Sequence, residues 1–255
     1  MKRALLLGVA VAAIAGPALA AEMTLPGPVQ TYSRTSNTLM QPYDWTGFYF
    51  GANVGYGRSK TDGSTINTAT GAVDAFVSGT TSNFHEGGQV GFDYMTGSRF
   101  VIGILADAAT GDDNIVNLVN AAGTAMHSEE SKNVAGGSVR GRIGYALYNA
   151  LLYGTGGWAW TVGSVIRTQV IGKAGNATPG TVESGPANLT GWTVGGGLSF
   201  GFWHNWEVFG EYRYTSYQSN NVVFPIAQRS LTSSTSANSI AAGLNFKFNP
   251  IYARY

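Results

Sequence analysis

The 255-residue sequence predicts an all-β chain, an eight-stranded antiparallel transmembrane β-barrel of up-and-down, outer-membrane type. Three observations predict it. From Asp44 to Gly57 the chain alternates: Phe48, Phe50, Ala52, Val54 and Tyr56 share one face, and Tyr49, Gly51, Asn53, Gly55 and Gly57 the other. A period of two suits a strand and not a helix. Seven later stretches repeat the pattern, joined by connections that alternate long and short, the rhythm of external loops and periplasmic turns. Finally, 11% of residues are charged, 12% are aromatic and 36 are glycine, yet mean hydropathy is only +0.01. A helical membrane protein is far more apolar, whereas alternation averages hydropathy to zero.

The N-terminus supplies an address. Lys2 and Arg3 precede the apolar run Ala4 to Ile14, Gly16 and Pro17 break it, and Ala18-Leu19-Ala20 offers small residues for cleavage after Ala20. This is the pattern of a secretory signal peptide, too short for a permanent anchor. Residues 21–43, with Pro26, Pro28 and Pro42 among polar residues, read as a flexible periplasmic leader, and 44–248 as the barrel.

The first strand covers 46–57 and a polar loop follows to about Ser82. The second, about 83–95, sets Val90, Phe92 and Tyr94 outward and Gln89, Gly91 and Asp93 inward, and ends in the turn Met95-Thr96-Gly97-Ser98. The third, about 99–108, alternates Phe100, Ile102, Ile104 and Ala106 with Arg99, Gly103, Leu105 and Asp107, before a loop to about Ser131. The fourth, about 132–146, has Val139, Ile143 and Tyr145 outward and Ser138, Arg140 and Arg142 inward. The fifth, 150–163, has an open phase: a bulge at Gly156-Gly157 would turn Trp158 and Trp160 to the face of Leu151 and Tyr153. A third loop spans about Ser164 to Asn188.

The sixth strand, about 190–202, alternates Trp192, Val194, Gly196, Leu198, Phe200 and Phe202 with Thr193, Gly195, Gly197, Ser199 and Gly201. The seventh, about 206–217, sets Trp206, Val208, Tyr212 and Tyr214 against Glu207, Glu211 and Arg213. After a Ser/Thr/Asn-rich loop to about Ser236, the eighth, about 237–248, alternates Ile240, Ala242, Leu244, Phe246 and Phe248 with Ser239, Gly243, Asn245 and Lys247. Two aromatic girdles are expected, with Trp45, Phe48, Tyr148, Tyr153, Phe202, Trp206 and Phe248 at the periplasmic rim and Tyr56, Trp192 and Tyr214 at the outer one.

Several stretches resemble a known family: W-T-G-F-Y at Trp45 to Tyr49, the G-T-G-G of 154–157, the E-Y-R-Y of 211–214 and the A-A-G-L-N-F-K-F of 241–248, with alternating Arg140 and Arg142. Together they resemble the small alphaproteobacterial outer-membrane β-barrel proteins, the porin-like 25/31 kDa surface antigen group. The resemblance covers about Asp44 to Phe248 and implies a periplasmic N-terminus and insertion by the outer-membrane assembly machinery through an aromatic C-terminal strand. One departure is the tail Asn249 to Tyr255, in which Pro250 cannot donate to a ladder. Either Phe248 or Tyr255 ends the assembly signal.

The expected functional feature is a lumen charge network of Asp93, Arg140, Arg142, Glu211, Arg213 and Lys247, with Glu211 pairing with Arg140 or Arg142. It reads either as a salt-bridged plug or as a narrow polar path whose charges select solutes. The chain has no cysteine, which excludes disulfides and thiolate metal sites, and 15 basic against 14 acidic residues give no reason to expect nucleic acid. His85, His127 and His204 form no metal spacing; His127, beside Met126, reads as a solvated loop residue, with a haem-ligand role as the sharper alternative. His127-Ser128-Glu129 is a loop string, not a spatial triad, so no enzyme activity and no cofactor are expected.

These residues point to an integral outer-membrane protein serving envelope structure and surface exposure, with porin-like passage of small solutes as an added role. The alternative is a loop-mediated surface receptor or adhesin, haem among its ligands. The partners implied are outer-membrane lipid, lipopolysaccharide and the assembly machinery, with oligomerisation left open.

Overall fold

The computed structural model describes residues 43–121, 125–203 and 205–248. The expected signal segment, most of the expected leader, His204 and the tail after Phe248 lie outside the described residues. Ten strands follow in order: β1 Gly47–Asn67, β2 Val73–Met95, β3 Phe100–Ala121, β4 Ala125–Leu147, β5 Ala150–Ile171, β6 Val182–Pro186, β7 Leu189–Phe202, β8 Trp206–Tyr217, β9 Asn220–Phe224 and β10 Arg229–Phe248. Every pairing is antiparallel, in the circuit β1-β2-β3-β4-β5-β7-β8-β10, and β10 pairs back onto β1 from Phe48↔Phe248 to Asn67↔Arg229. Eight strands therefore close a barrel, which removes the unpaired edges that lipid does not tolerate.

Phe48, Val54, Val90, Ile104, Ile143, Leu198 and Ile240 are exposed on the outer wall, while Tyr49, Leu105, Arg140, Arg142, Glu207 and Lys247 are buried inside. The usual polarity of a soluble protein is inverted along every strand, as lipid outside and packed side chains inside require.

Glycine makes room for the inner aromatics. Tyr49 lies directly opposite Gly91, Tyr153 opposite Gly197 and Phe209 opposite Gly243. A Cβ on Gly91 would stand 2.5 Å from Tyr49 Cζ, one on Gly197 2.6 Å from the Tyr153 hydroxyl, and one on Gly243 2.7 Å from Phe209 Cε1. Each ring lies across the bare backbone of its neighbour, filling the lumen without splaying the strands.

Three expectations are corrected, and the open phase of the fifth strand is settled. The long external loops are mostly strand: β1 to β5 and β10 run 20 to 23 residues, about twice the 9 to 11 that cross a bilayer. Above the lipid neither face needs to be apolar, so Ser/Thr-rich ladders continue without the contrast that marks a membrane strand. The fifth strand has no bulge at Gly156-Gly157: its register with β7 is unbroken from Ala150 to Thr161, with Leu152 and Trp158 outside and Leu151 and Tyr153 inside. Trp45 and Tyr153 therefore leave the periplasmic girdle; both are buried within the barrel. Arg99 sits in a turn at φ 67°, its guanidinium 5.5 Å from the Tyr148 ring centroid, and does not face the lumen.

The packed rings make a direct prediction. Gly91→Val is expected to cost about 1–3 kcal/mol in urea unfolding of the refolded barrel in detergent micelles, because the added carbons strike the Tyr49 ring. Tyr49→Ala in the same chain should recover part of that loss. An unchanged midpoint in Gly91→Val would show that the ring is not held where it lies.

Candidate functional site

The lumen charges form two stacked groups. Arg140 and Arg142 occupy successive inward positions on β4, roughly 7 Å apart along the strand. At the periplasmic level Arg142 Nη1 lies 3.1 Å from Asp93 Oδ2 and Nη2 3.1 Å from Glu207 Oε1, while Lys247 Nζ lies 3.0 Å from Asp93 Oδ2. One level up, Arg140 Nη2 lies 2.9 Å from Asp107 Oδ1 and Nη1 2.5 Å from Glu211 Oε1. Arg213 Nη1 reaches Asp107 Oδ2 at 3.2 Å and its Nε reaches Glu211 Oε1 at 3.3 Å.

Each group holds two cations and two carboxylates, so each is neutral as a unit. Asp93 and Glu207 are 0% exposed and Arg140 and Lys247 1%, so bulk water does not compensate these charges. Neighbours complete the set. Arg140 donates to Ser138 Oγ at 2.8 Å and to Thr155 Oγ1 at 3.1 Å, Ser138 Oγ donates to Asp107, and Arg142 donates to Ser199 Oγ at 2.8 Å. The Arg142 guanidinium also lies 4.0 Å from the Tyr153 ring centroid.

The periplasmic end is stoppered by the segment before β1. Trp45 is fully buried, Tyr43 packs edge-on against it at 4.7 Å between centroids, and Lys247 Nζ donates to the Trp45 carbonyl at 2.7 Å. The last residue of the expected leader thus lies inside the barrel mouth.

All six expected lumen residues face inward and take part in these two groups, and Glu211 meets Arg140 rather than Arg142. Two partners, Asp107 and Glu207, were absent from that set. A charge count signals them: the six include four cations and two anions, and both missing carboxylates stand at inward parity on their strands.

A third polar group stands higher in the barrel. His127, Arg167, Gln169 and Glu183 are buried there, with Arg167 Nη2 donating to Gln169 Oε1 at 2.7 Å and Arg167 Nη1 3.9 Å from Glu183 Oε2. The expectation for His127 is corrected: it lies within β4, opposite Gln169 of β5, and is 2% exposed. The continued ladder turns this residue inward, where a solvated loop would have left it in water. Among the described residues no cluster of His, Asp or Glu could hold a metal ion.

Removing one member of a neutral buried group strands the opposite charge. Asp93→Ala leaves Arg142 with Glu207 alone and Lys247 with no carboxylate, and is expected to cost about 3–5 kcal/mol of stability. A thermal-unfolding cycle over Arg140→Ala and Glu211→Ala should show coupling of about 0.5–3 kcal/mol, and strict additivity would mean the pair does not act as one.

Comparison with known proteins agrees with this architecture. The family model described as outer membrane protein beta-barrel domain matches residues 6–248. The 31 kDa outer-membrane immunogenic protein of Brucella melitensis is 28% identical over 257 residues, covering 97% of this chain and all of that one. The 22 kDa outer membrane protein of Rhizobium leguminosarum bv. viciae is 33% identical over 165 residues, 64% of this chain and 66% of the relative. Among solved structures, the outer membrane protein OprG from Pseudomonas aeruginosa superposes with a TM-score of 0.50 at 12% identity, covering 82% of this chain and 99% of that one, a likeness of fold alone. With a closed ring of lipid-facing strands and a family match over nearly its whole length, the chain belongs to the outer membrane protein β-barrel family and is a protein of the cell outer membrane.

Proposed function

We propose that this protein is a plugged barrel that anchors an array of β-hairpins at the cell surface and contributes to envelope structure, with its lumen shut to through-flow. One observation carries the reading: seven ion pairs, drawn from five strands, pack inside the lumen, and every member but Arg213 has 5% or less of its side chain exposed. A permeating solute would have to displace paired charges in a medium of low dielectric, at a cost of several kcal/mol per ion. The Trp45 stopper lies below them.

The hairpins support the surface role. Their described strands run well beyond the length that crosses a bilayer, and neighbouring hairpins are joined, as where the Thr68 amide donates to the Gln228 carbonyl at 3.0 Å. Relatives named outer-membrane immunogenic proteins agree with display at the surface. Haem ligation by His127 has no support from its position, since the imidazole is buried. Insertion by the assembly machinery through the β10 strand, which ends in Phe246, Lys247 and Phe248, follows from the same reading.

Single-channel recording of the refolded mature protein in a planar bilayer, at two salt concentrations, tests it. The native barrel is expected to be silent, and Arg140→Ala to flicker open because Asp107 and Glu211 then repel across the lumen. Steady native openings whose size changes with Arg140→Ala would overturn the plug and support a solute-selective pore.

A further inference from the structure

Above the ion pairs the lumen side chains change from long to short. Gly57, Ala109, Gly136, Ala159 and Ala237 line the wall, and a cavity of about 150 Å³ opens over Asp107 and Arg213. Higher up, apolar side chains join the buried polar group of His127, Arg167, Gln169 and Glu183. Val165, Val222, Phe224 and Leu231, with Ala174, Ala177, Ala187 and Ala227, form a separate hydrophobic cluster against which Val77 packs from β2. The hollow has an ion-paired floor, and the apolar cluster stands higher in the wall.

The wall has a seam at the level of this cluster. β6 continues β7 upward along β5, and β9 continues β8 upward along β10. The β7–β8 ladder stops at Gly191↔Tyr217, and β6 and β9 lie side by side without a backbone ladder between them. Side chains close the gap. The Glu183 carboxylate accepts from the amides of Ile226 at 2.7 Å and Ala227 at 3.0 Å, and Val222 packs over Gly185. Elsewhere around the barrel, parting two strands breaks a run of backbone hydrogen bonds in register. Here no ladder is broken, only the carboxylate clasp, the apolar contact and the bond from the Asn176 amide to the Ile226 carbonyl at 2.8 Å.

The chamber lining selects by hydrogen bonding rather than by net charge. Asp107 and Arg213 sit side by side, backed by Glu211 and Arg140, and the four charges cancel. His85 and Tyr217 are the other titratable groups on the cavity wall. A lone ion would meet attraction and repulsion together and lose its water. A neutral solute rich in hydroxyls replaces its water hydrogen bonds one for one, using Arg213 N–H groups, the Asp107 carboxylate and the polar groups of Ser59, Asn83, Thr161 and Ser239.

We propose that the chamber is a binding site for a small, net-neutral polyol of about monosaccharide size, and that the β6–β9 seam is its entrance. The site lies above the plug, opens only outward and needs no conduction.

The lack of cysteine makes the test clean. Ser239→Cys places a single thiol in the chamber wall, and Ala109→Cys gives a second, independent reporter should the first fail to fold. Across the seam, a Cβ on Gly185 would stand 3.9 Å from Val222 Cβ, within the range a disulfide spans, so Gly185→Cys with Val222→Cys locks it. Methyl methanethiosulfonate is added to the refolded protein, and modification of residue 239 or 109 is followed by peptide mass.

The oxidised lock is expected to slow modification at least tenfold, with reduction restoring it. D-glucose should slow modification of the unlocked chain in a saturable way, while sodium acetate of equal osmolality should not. Equal rates with and without the lock overturn the seam as entrance. Equal rates with glucose and acetate overturn the polyol site. Neither readout depends on bilayer current, so failure here is distinguishable from failure of the plugged-barrel reading.

Discussion

A charge inside a narrow barrel has to find its opposite there. The two lumen quartets meet that requirement by drawing on β2, β3, β4, β8 and β10, so strands far apart around the ring are tied through the centre as well as along the wall. Backbone ladders join only neighbours, whereas Arg142 spans from β2 to β8. The cross-section is thereby held on several diameters at once. Buried pairs of this kind add little net stability over apolar packing, but removal of one partner is severe, so they act chiefly on which arrangement is tolerated.

The aromatic and glycine pairs serve the same end by volume. Tyr49, Tyr153 and Phe209 each cross the bare backbone of the neighbouring strand, and each occupies lumen space that arginine and lysine stems do not fill. A one-residue slip of any of these strands would turn its ring to the lipid and its outer phenylalanine or valine inward. Register is therefore specified twice, by the apolar face outside and by the ring-over-glycine fit inside. Gly201 gives way to Tyr43 and Gly137 to Trp160 in the same manner.

The membrane portion was legible because lipid and lumen make opposite demands at every step of the chain. Phe48 to Tyr56 and Trp192 to Phe200 alternate without exception, and the structure places them accordingly. Legibility ends where the contrast ends. From Arg58 to Asn67 both faces are polar, so the same ladder looks like a loop until its partner from Val73 to Ser82 is set beside it. Trp45 and Tyr153 show a second limit, since tryptophan and tyrosine suit a membrane rim and a packed lumen equally well. Of the lumen charges, parity gave the direction in which each side chain points, but the partners depend on which strands face one another across the centre, a relation that no local spacing records.

The end of the chain carries a consequence for assembly. Lys247, second from the end of β10, joins Asp93 and the Trp45 carbonyl, the latter 202 residues away along the chain. Until that last strand arrives, Asp93 lacks one cation, the Trp45 stopper lacks its anchor, and β1 presents an open edge. An incomplete barrel thus has both an unsatisfied rim and an unsatisfied interior, and a single late docking event resolves both. Such long-range closure is intrinsically slow, and a chain cut short by only a few residues before Phe248 would stall as an open sheet rather than survive as a slightly smaller cylinder.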